Sequence, residues 1–304
     1  MNIIIDTDMG ADDWLASLLL LPNSEPAVQA ITVTGNGLAH LGYGVQHALD
    51  LCQYCGQPGI PVGVGTAVPL SGDNVFPDVW RVPTDMFLGI PHVASNVPPS
   101  PTGAAALLAQ WINQAKTPPV LLALGPLTNV ATAFQADSTL AGKLQALYIM
   151  GGAVNVPGNV PDSTAEYNFY TDPEAASIVI ASGAPITLIP LDATNQAPIT
   201  MAFYNQLGAN QTTPAAKLAF QILTAQLDTV TQGQYFFWDP LAAAAILNPS
   251  LITTQTMRLS VMTTGSPVSN YGSLIPDSSA PPIQVATSVN LPALEAFVLK
   301  TYNT

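Results

Sequence analysis

The chain has 304 residues, room for one large α/β domain or two smaller ones, and its 48% hydrophobic content can bury a sizeable core, which excludes global disorder. Only 8% of residues are charged, 6 basic against 19 acidic, for a net charge of −13. So few Lys and Arg cannot build a surface that tracks phosphates, which argues against polymeric nucleic acid, anionic membranes and polyphosphate substrates as partners.

No apolar run approaches the roughly 20 residues that span a bilayer. Nor does a basic segment precede the first apolar run, Ile3-Ile4-Ile5. A cytoplasmic protein is the expectation, with a removed export signal left open.

Continuous apolar runs at 3–5, 28–33, 120–124, 146–150 and 186–191 predict strands buried on both faces. Helical patterns fall between and after them, at 12–20, 43–55, 102–115, 127–136, 173–182, 214–230 and 239–247. Alternation of strand and helix predicts an open, mostly parallel, doubly wound α/β sheet flanked by helices, as one domain over residues 1–304. Residues 57–101 are rich in turn formers and carry Phe76 and Trp80, so they read as a long functional loop. Gly265, Ser266, Pro267, Asn270, Tyr271 and Gly272 mark a hairpin or loop excursion within 263–283. Cys52 and Cys55 form a C-x-x-C pair late in a helical segment. A zinc site there needs two more ligands, and the chain holds only His40, His47 and His92, so two buried core thiols are the preferred reading.

Acidic residues are scarce, which makes Asp6-Thr7-Asp8-Met9-Gly10-Ala11-Asp12-Asp13 informative: four carboxylates in eight residues, between a strand and a helix. That places them at the carboxyl edge of a strand, where open α/β sheets bind ligands. A helix start explains Asp12 and Asp13 as an N-cap and a dipole partner. It does not explain Asp6 and Asp8, which repel their neighbours. A divalent cation is the natural compensation, and oxygen donors without Cys or His point to Ca²⁺ or Mg²⁺. An EF-hand reading fails because the twelfth position is Ser17 and no helix precedes the loop. A D-x-D phosphatase would want a lysine on the phosphate, and Lys116, Lys143, Lys217 and Lys300 lie away from the predicted strand ends.

Further elements follow in order: Val33-Thr34-Gly35-Asn36; Ala123-Leu124-Gly125-Pro126-Leu127-Thr128-Asn129; Met150-Gly151-Gly152-Ala153 with Gly158-Asn159 and Ala165-Glu166-Tyr167-Asn168-Phe169; Asp172-Pro173-Glu174; Leu191-Asp192-Ala193-Thr194; and Trp238-Asp239-Pro240-Leu241. Together with the D-x-D-x-G-x-D-D start, this series resembles the nucleoside hydrolase family, up to about residue 245. The resemblance implies a Ca²⁺-dependent N-ribohydrolase that cleaves ribonucleosides to free base and ribose, working as a homodimer or homotetramer. It implies that Asp8, Asp13, Asp239 and the Leu124 carbonyl hold the metal and that Asp8 is general base on a water. Asp12 and Asn168 would hold the 2′- and 3′-hydroxyl side of the sugar, Asn159 and Glu166 the 5′-hydroxyl. Asn36 and Met150 would line the ribose pocket, and Asp6 would orient the other carboxylates. On a residue-by-residue reading, Asp172-Pro173-Glu174 is a helix start with Asp172 as cap, and Asp192 is either a cap or a neighbour of the site.

The chain also departs from the pattern. Many family members carry His before the late Asp-Pro, where Trp238 stands here, and His after the Asp-x-Thr element, where Asn195 stands. The expected acid for the leaving base is thus missing, and Trp80 and Trp238 are predicted to enclose the base instead, as in the purine-preferring branch. Trp80 has an alternative role as a surface loop anchor. A purine-leaning hydrolase is the main expectation. The alternatives are the D-x-D phosphatase and a non-catalytic, metal-dependent nucleoside binder on the same fold, against which the retained Asp8 argues.

Overall fold

The computed structural model describes residues 1–25, 27–263 and 270–304. In β1 (Asn2–Thr7), every residue from Ile3 onward is buried. Ile3 and Ile5 pack into one hydrophobic cluster and Ile4 into another, as the two-residue period of a strand demands. The split recurs in β4 (Val120–Ala123), with Val120 and Leu122 on one side and Leu121 and Ala123 on the other. Strands of this kind are stable only with helices over both faces.

β2 (Ala27–Val33), β3 (Val62–Val64), β5 (Ala146–Met150), β6 (Ile186–Ile189) and β9 (Pro282–Val289) complete a parallel array in the order β3-β2-β1-β4-β5-β6-β9. β7 (Ile252–Val261) runs antiparallel to β9, and β8 (Leu274–Pro276) antiparallel to β7. One face is covered by α1 (Ala11–Leu20), α2 (Leu41–Tyr54), α10 (Pro214–Ala225), α12 (Trp238–Leu247) and α13 (Leu291–Tyr302). The other carries α4 (Ala104–Gln114), α5 (Thr128–Ala136) and α7 (Pro173–Ile180). Shorter helices fill the connections: α3 (Asp78–Asp85), α6 (Tyr167–Thr171), α8 (Leu191–Thr194), α9 (Met201–Ala209) and α11 (Leu227–Thr231). The last helix is tied to the first, where the Tyr302 hydroxyl donates to the Leu15 carbonyl at 2.9 Å. No helix among the described residues is long and apolar enough to cross a membrane.

Strand order reverses direction between β1 and β4, so the crevice beyond their carboxyl ends is the topological switch point of the sheet. All five predicted strands and all seven predicted helical regions are present. The segment 214–230 differs, because it breaks at Gln226 into α10 and α11. The loop predicted at 57–101 contains β3, α3 and a 3₁₀ turn at Phe87–Gly89. α3 escaped prediction because Pro83 sits inside it. Gly265, Ser266 and Pro267 of the predicted hairpin lie outside the described residues, while β7 and β8 on either side of them pair antiparallel. Cys52 is buried, Cys55 partly so, and both are free.

Candidate active site

β1 delivers the acidic run into the crevice. Asp6 is fully buried; its carboxylate accepts from Thr32 Oγ1 at 2.6 Å and Asn129 Nδ2 at 2.9 Å. Burial, with added repulsion from Asp13, still pushes its carboxyl up to about 7. Asp6 therefore ties β1 to β2 and to α5. Asp8, just past the end of β1, lines the cleft. Its Oδ2 accepts from the Leu38 amide at 2.7 Å, and its carbonyl accepts from the Ala39 amide at 3.0 Å. Met9 then takes a left-handed turn (φ 58°) that starts α1. Asp13 caps that turn: its carboxylate accepts from the Gly10 amide at 2.9 Å and from the Thr7 hydroxyl.

From across the crevice, the first turn of α12 brings Asp239 to the same place. Ligand-capable oxygens of Asp12, Asp13 and Asp239 lie within 4.8 Å of one another. Asp239 is buried, and its Oδ1 has no hydrogen-bond partner. Burial first, then repulsion from Asp13, raises the carboxyls of Asp8 and Asp239 well above the usual range, and that of Asp12 to about 7. Carboxylates packed this closely without a cationic side chain fit a hard divalent cation, and an all-oxygen donor set suits it. The tightest trio includes Asp12, which the sequence reading placed on the sugar, while Asp8 borders the trio beside Asp13. The Leu124 carbonyl, one residue past β4, also faces the cleft and accepts from Asn168 Nδ2 at 2.8 Å.

The opposite wall comes from α6. Glu166 caps this helix, accepting from the amides of Asn168 (2.9 Å) and Phe169 (3.3 Å), and from that of Gly152 at 2.9 Å. Burial raises its carboxyl. Asn159 Oδ1 accepts from the Tyr167 amide at 2.9 Å. The Asn168 side-chain Nδ2 also donates to the Met150 carbonyl at 3.3 Å. Asp172 caps α7 by accepting from the Ala175 amide at 3.0 Å, as predicted. Asp192 anchors the loop after β5, accepting from the amides of Val154 and Asn155, both at 2.8 Å.

Between these walls lies a cleft of about 700 Å³, within the range of small-molecule sites. Asp8, Asp12, Asp13, Leu124, Met150, Asn159, Glu166, Asn168, Trp80, Trp238 and Asp239 all border it. Asn36 does not. It is fully buried, donating to Thr128 Oγ1 at 2.9 Å and accepting from the Thr34 hydroxyl, so its side chain braces the strand ends. Trp80 is 44% exposed and meets Tyr167 edge-on at 5.0 Å; Trp238 meets Tyr235 edge-on at 5.3 Å. Phe76 of the long loop joins them, and the sequence reading gave no site role to Tyr167, Gln226, Gln234 and Tyr235 on the walls. Tyr235 precedes α12 in an extended segment beside the Phe236–Pro198 bridge, and no local pattern marks it. Its buried hydroxyl has no partner, and burial, followed by the charges of Asp12 and Asp239, keeps it protonated. No His, Lys or Arg lines the cleft among the described residues.

Residues 3–296 match the family described as inosine-uridine preferring nucleoside hydrolase. The chain is 32% identical to the probable uridine nucleosidase 1 of Oryza sativa subsp. japonica, over 98% of this chain and 95% of that one. It is 33% identical to a pyrimidine-specific ribonucleoside hydrolase, RihA, of Shewanella sp. (strain ANA-3), over 83% and 80%. Among solved structures, a plant nucleoside hydrolase (PpNRh1) superposes with a TM-score of 0.89 at 28% identity, covering 100% of this chain and 99% of that one. A purine-preferring ribonucleoside hydrolase from Gardnerella vaginalis superposes with a TM-score of 0.84 at 27% identity, covering 100% and 98%. With its acidic run at the switch point, its cleft and this end-to-end similarity, the chain belongs to the nucleoside hydrolase family.

Proposed function

We propose that this hydrolase cleaves ribonucleosides at a Ca²⁺ centre, with Asp8 as general base and a preference for purines. The observation that carries the reading is the knot of buried carboxylates, with the unpartnered Asp239 oxygen, opening into a nucleoside-sized cleft. When bound, the ion would be held by Asp8, Asp13, Asp239 and the Leu124 carbonyl, would offset their mutual repulsion and would fix the ribose hydroxyls.

The remaining work falls to the side chains. Asp8, aimed by the Leu38 amide, takes the proton of the attacking water. Asp12, Asn159, Glu166 and Asn168 hold the sugar hydroxyls. As the glycosidic bond breaks, positive charge grows on the ribose ring, and the surrounding carboxylates stabilise it in a site where burial strengthens the interaction. A substrate lacking the 2′-hydroxyl leaves these groups unpaired and is rejected. The cleft offers the leaving base indoles rather than an imidazole acid. Stacking is worth about 1–3 kcal/mol per base, and purines present the larger ring and a protonatable N7.

A second reading, pyrimidine preference, is favoured by the names of the relatives at 32% and 33% identity. Release of free base from inosine, adenosine, guanosine, uridine and cytidine, with and without chelator, separates the two. The purine reading expects the highest kcat/KM on a purine nucleoside, and a Trp238→Ala variant that loses more activity on purines than on pyrimidines. Uridine as best substrate overturns it. Undiminished turnover in chelator overturns the metal requirement.

A further inference from the structure

Behind the cleft, α2 presents His47 and Asp50 one helical turn apart, buried at 3% and 4% exposure. His92, from the segment that follows α3, meets them there. Ligand-capable atoms of the three residues lie within 4.8 Å of one another.

Hydrogen bonding fixes which nitrogens are available. His47 Nε2 lies 3.0 Å from the Thr84 carbonyl and His92 Nδ1 3.1 Å from the Ile90 carbonyl. A carbonyl only accepts, so each of these nitrogens carries the proton. In the neutral rings, lone pairs are left on His47 Nδ1 and His92 Nε2. His47 Nδ1 is buried with no partner. His92 Nε2 stands 3.1 Å from Asp50 Oδ2, which is itself without a hydrogen-bond partner. The other Asp50 oxygen is already engaged, accepting from the Ser95 amide at 2.6 Å and Gln46 Nε2 at 2.8 Å. Two imidazoles and one carboxylate thus converge, with His47 Nδ1 and Asp50 Oδ2 buried and without hydrogen-bond partners. A ring whose far N–H is held by a backbone carbonyl is the usual arrangement of a metal-binding histidine.

We propose that His47 Nδ1, Asp50 Oδ2 and His92 Nε2 form a second metal centre that takes Zn²⁺. The donor set separates it from the acidic centre: imidazole selects zinc and its neighbours in the transition series, where all-oxygen sites select hard cations. Three protein ligands leave a fourth position for water, and the partly exposed His92 ring (29%) gives access. The centre staples residues 84–95 to α2. Thr84, Met86, Leu88 and Gly89 of that stretch also line the substrate cleft, so the ion braces one cleft wall from behind. The proposal shares no metal ligand with the catalytic reading and stands or falls apart from it.

The full-length chain, stripped of metal and then saturated with Ca²⁺, is titrated with Co²⁺ as a chromophoric probe and back-titrated with Zn²⁺. The expected result is a ligand-field spectrum with nitrogen donors that saturates at one equivalent and is displaced by Zn²⁺. His92→Ala should lower the stoichiometry by one, or the affinity at least about 100-fold, with its melting temperature in chelator unchanged. Hydrogen exchange should show residues 84–95 protected by Zn²⁺ in the wild type and not in the variant. A wild type that binds no Co²⁺ in Ca²⁺, leaving His92 and Asp50 a plain ion pair, overturns the proposal. So does a folded His92→Ala variant with unchanged stoichiometry and affinity.

Discussion

Asp8 is held by its backbone and its side chain at once, the first by Ala39 and the second by Leu38. A carboxylate fixed in this way is ready for proton transfer before substrate arrives, and general-base catalysis contributes about 10²–10⁴-fold. Asp8→Asn is nearly isosteric and keeps the acceptor for Leu38. It is expected to lower kcat on the best nucleoside by that factor, with bound metal measured in the same sample. A metal-loaded variant with near-normal turnover would remove Asp8 as the base. The two thiols make a contrasting case. Burial pushes both Cys52 and Cys55 up to about 12, which leaves about one thiolate in 10⁴ at pH 8. Native protein should therefore react with a thiol reagent orders of magnitude more slowly than denatured protein. Rapid native labelling of either cysteine would contradict this packing.

At the level of elements, the loop between β2 and α2 matters as much as the acidic run. It passes so close to Asp8 that a Cβ on Gly37 would fall 1.8 Å from Asp8 Oδ2 and 2.4 Å from its Cγ. Gly37→Ala must displace either the carboxylate or the loop. Misplacement of a reacting group by about 1 Å costs on the order of 10²-fold, so kcat should fall by that much with the fold intact by circular dichroism. Full activity in the alanine variant would show that Asp8 tolerates being moved. Nearby, His40 and Asp85 pair at 2.7 Å and pin the same loop to the end of α3. What was legible in the sequence follows the same physics. The strands at 3–5 and 120–124 are buried on both faces and, with the partly buried strand at 146–150, read as unbroken apolar runs, and Asp172-Pro173 marks its helix because a cap and a first-turn proline leave a local signature. β7 was not legible: it lies toward the sheet edge, and its exposed Thr-Thr-Gln-Thr stretch has no apolar alternation. In the site, the carboxylates stood out because acids are rare in this chain. Tyr235, Gln226 and Gln234 face the cleft only by the tertiary placement of α10 to α12, which no local pattern records. That Asn36 donates to Thr128 in α5 is likewise a tertiary contact that no local pattern records.

Over the whole molecule, the acidic centre couples metal, protons and stability. Without metal, the carboxyls of Asp6 and Asp12 are raised to about 7 from an ordinary 3.8, and those of Asp8 and Asp239 are raised well above that ordinary value. The folded state then binds more protons than the unfolded chain between roughly pH 4 and 7, so this contribution is fully present below about 4 and lost as pH rises through 7. Chelated protein should melt at a lower temperature at pH 8 than at pH 5. Adding the divalent cation should raise the melting temperature more at pH 8, because binding expels those protons. Identical melting temperatures at the two pH values in chelator would mean that the carboxylates are not under strain. The Tyr302–Leu15 bond adds a temporal constraint. It joins the last helix to the one that carries Asp12 and Asp13, across almost the full length of the chain. On a ribosome α1 emerges well before α10, α12 and α13, the helices that come to cover it. Asp12 and Asp13 therefore emerge long before Asp239, and the centre they share is assembled only after most of the sheet has been made, so these carboxylates meet water first and one another last.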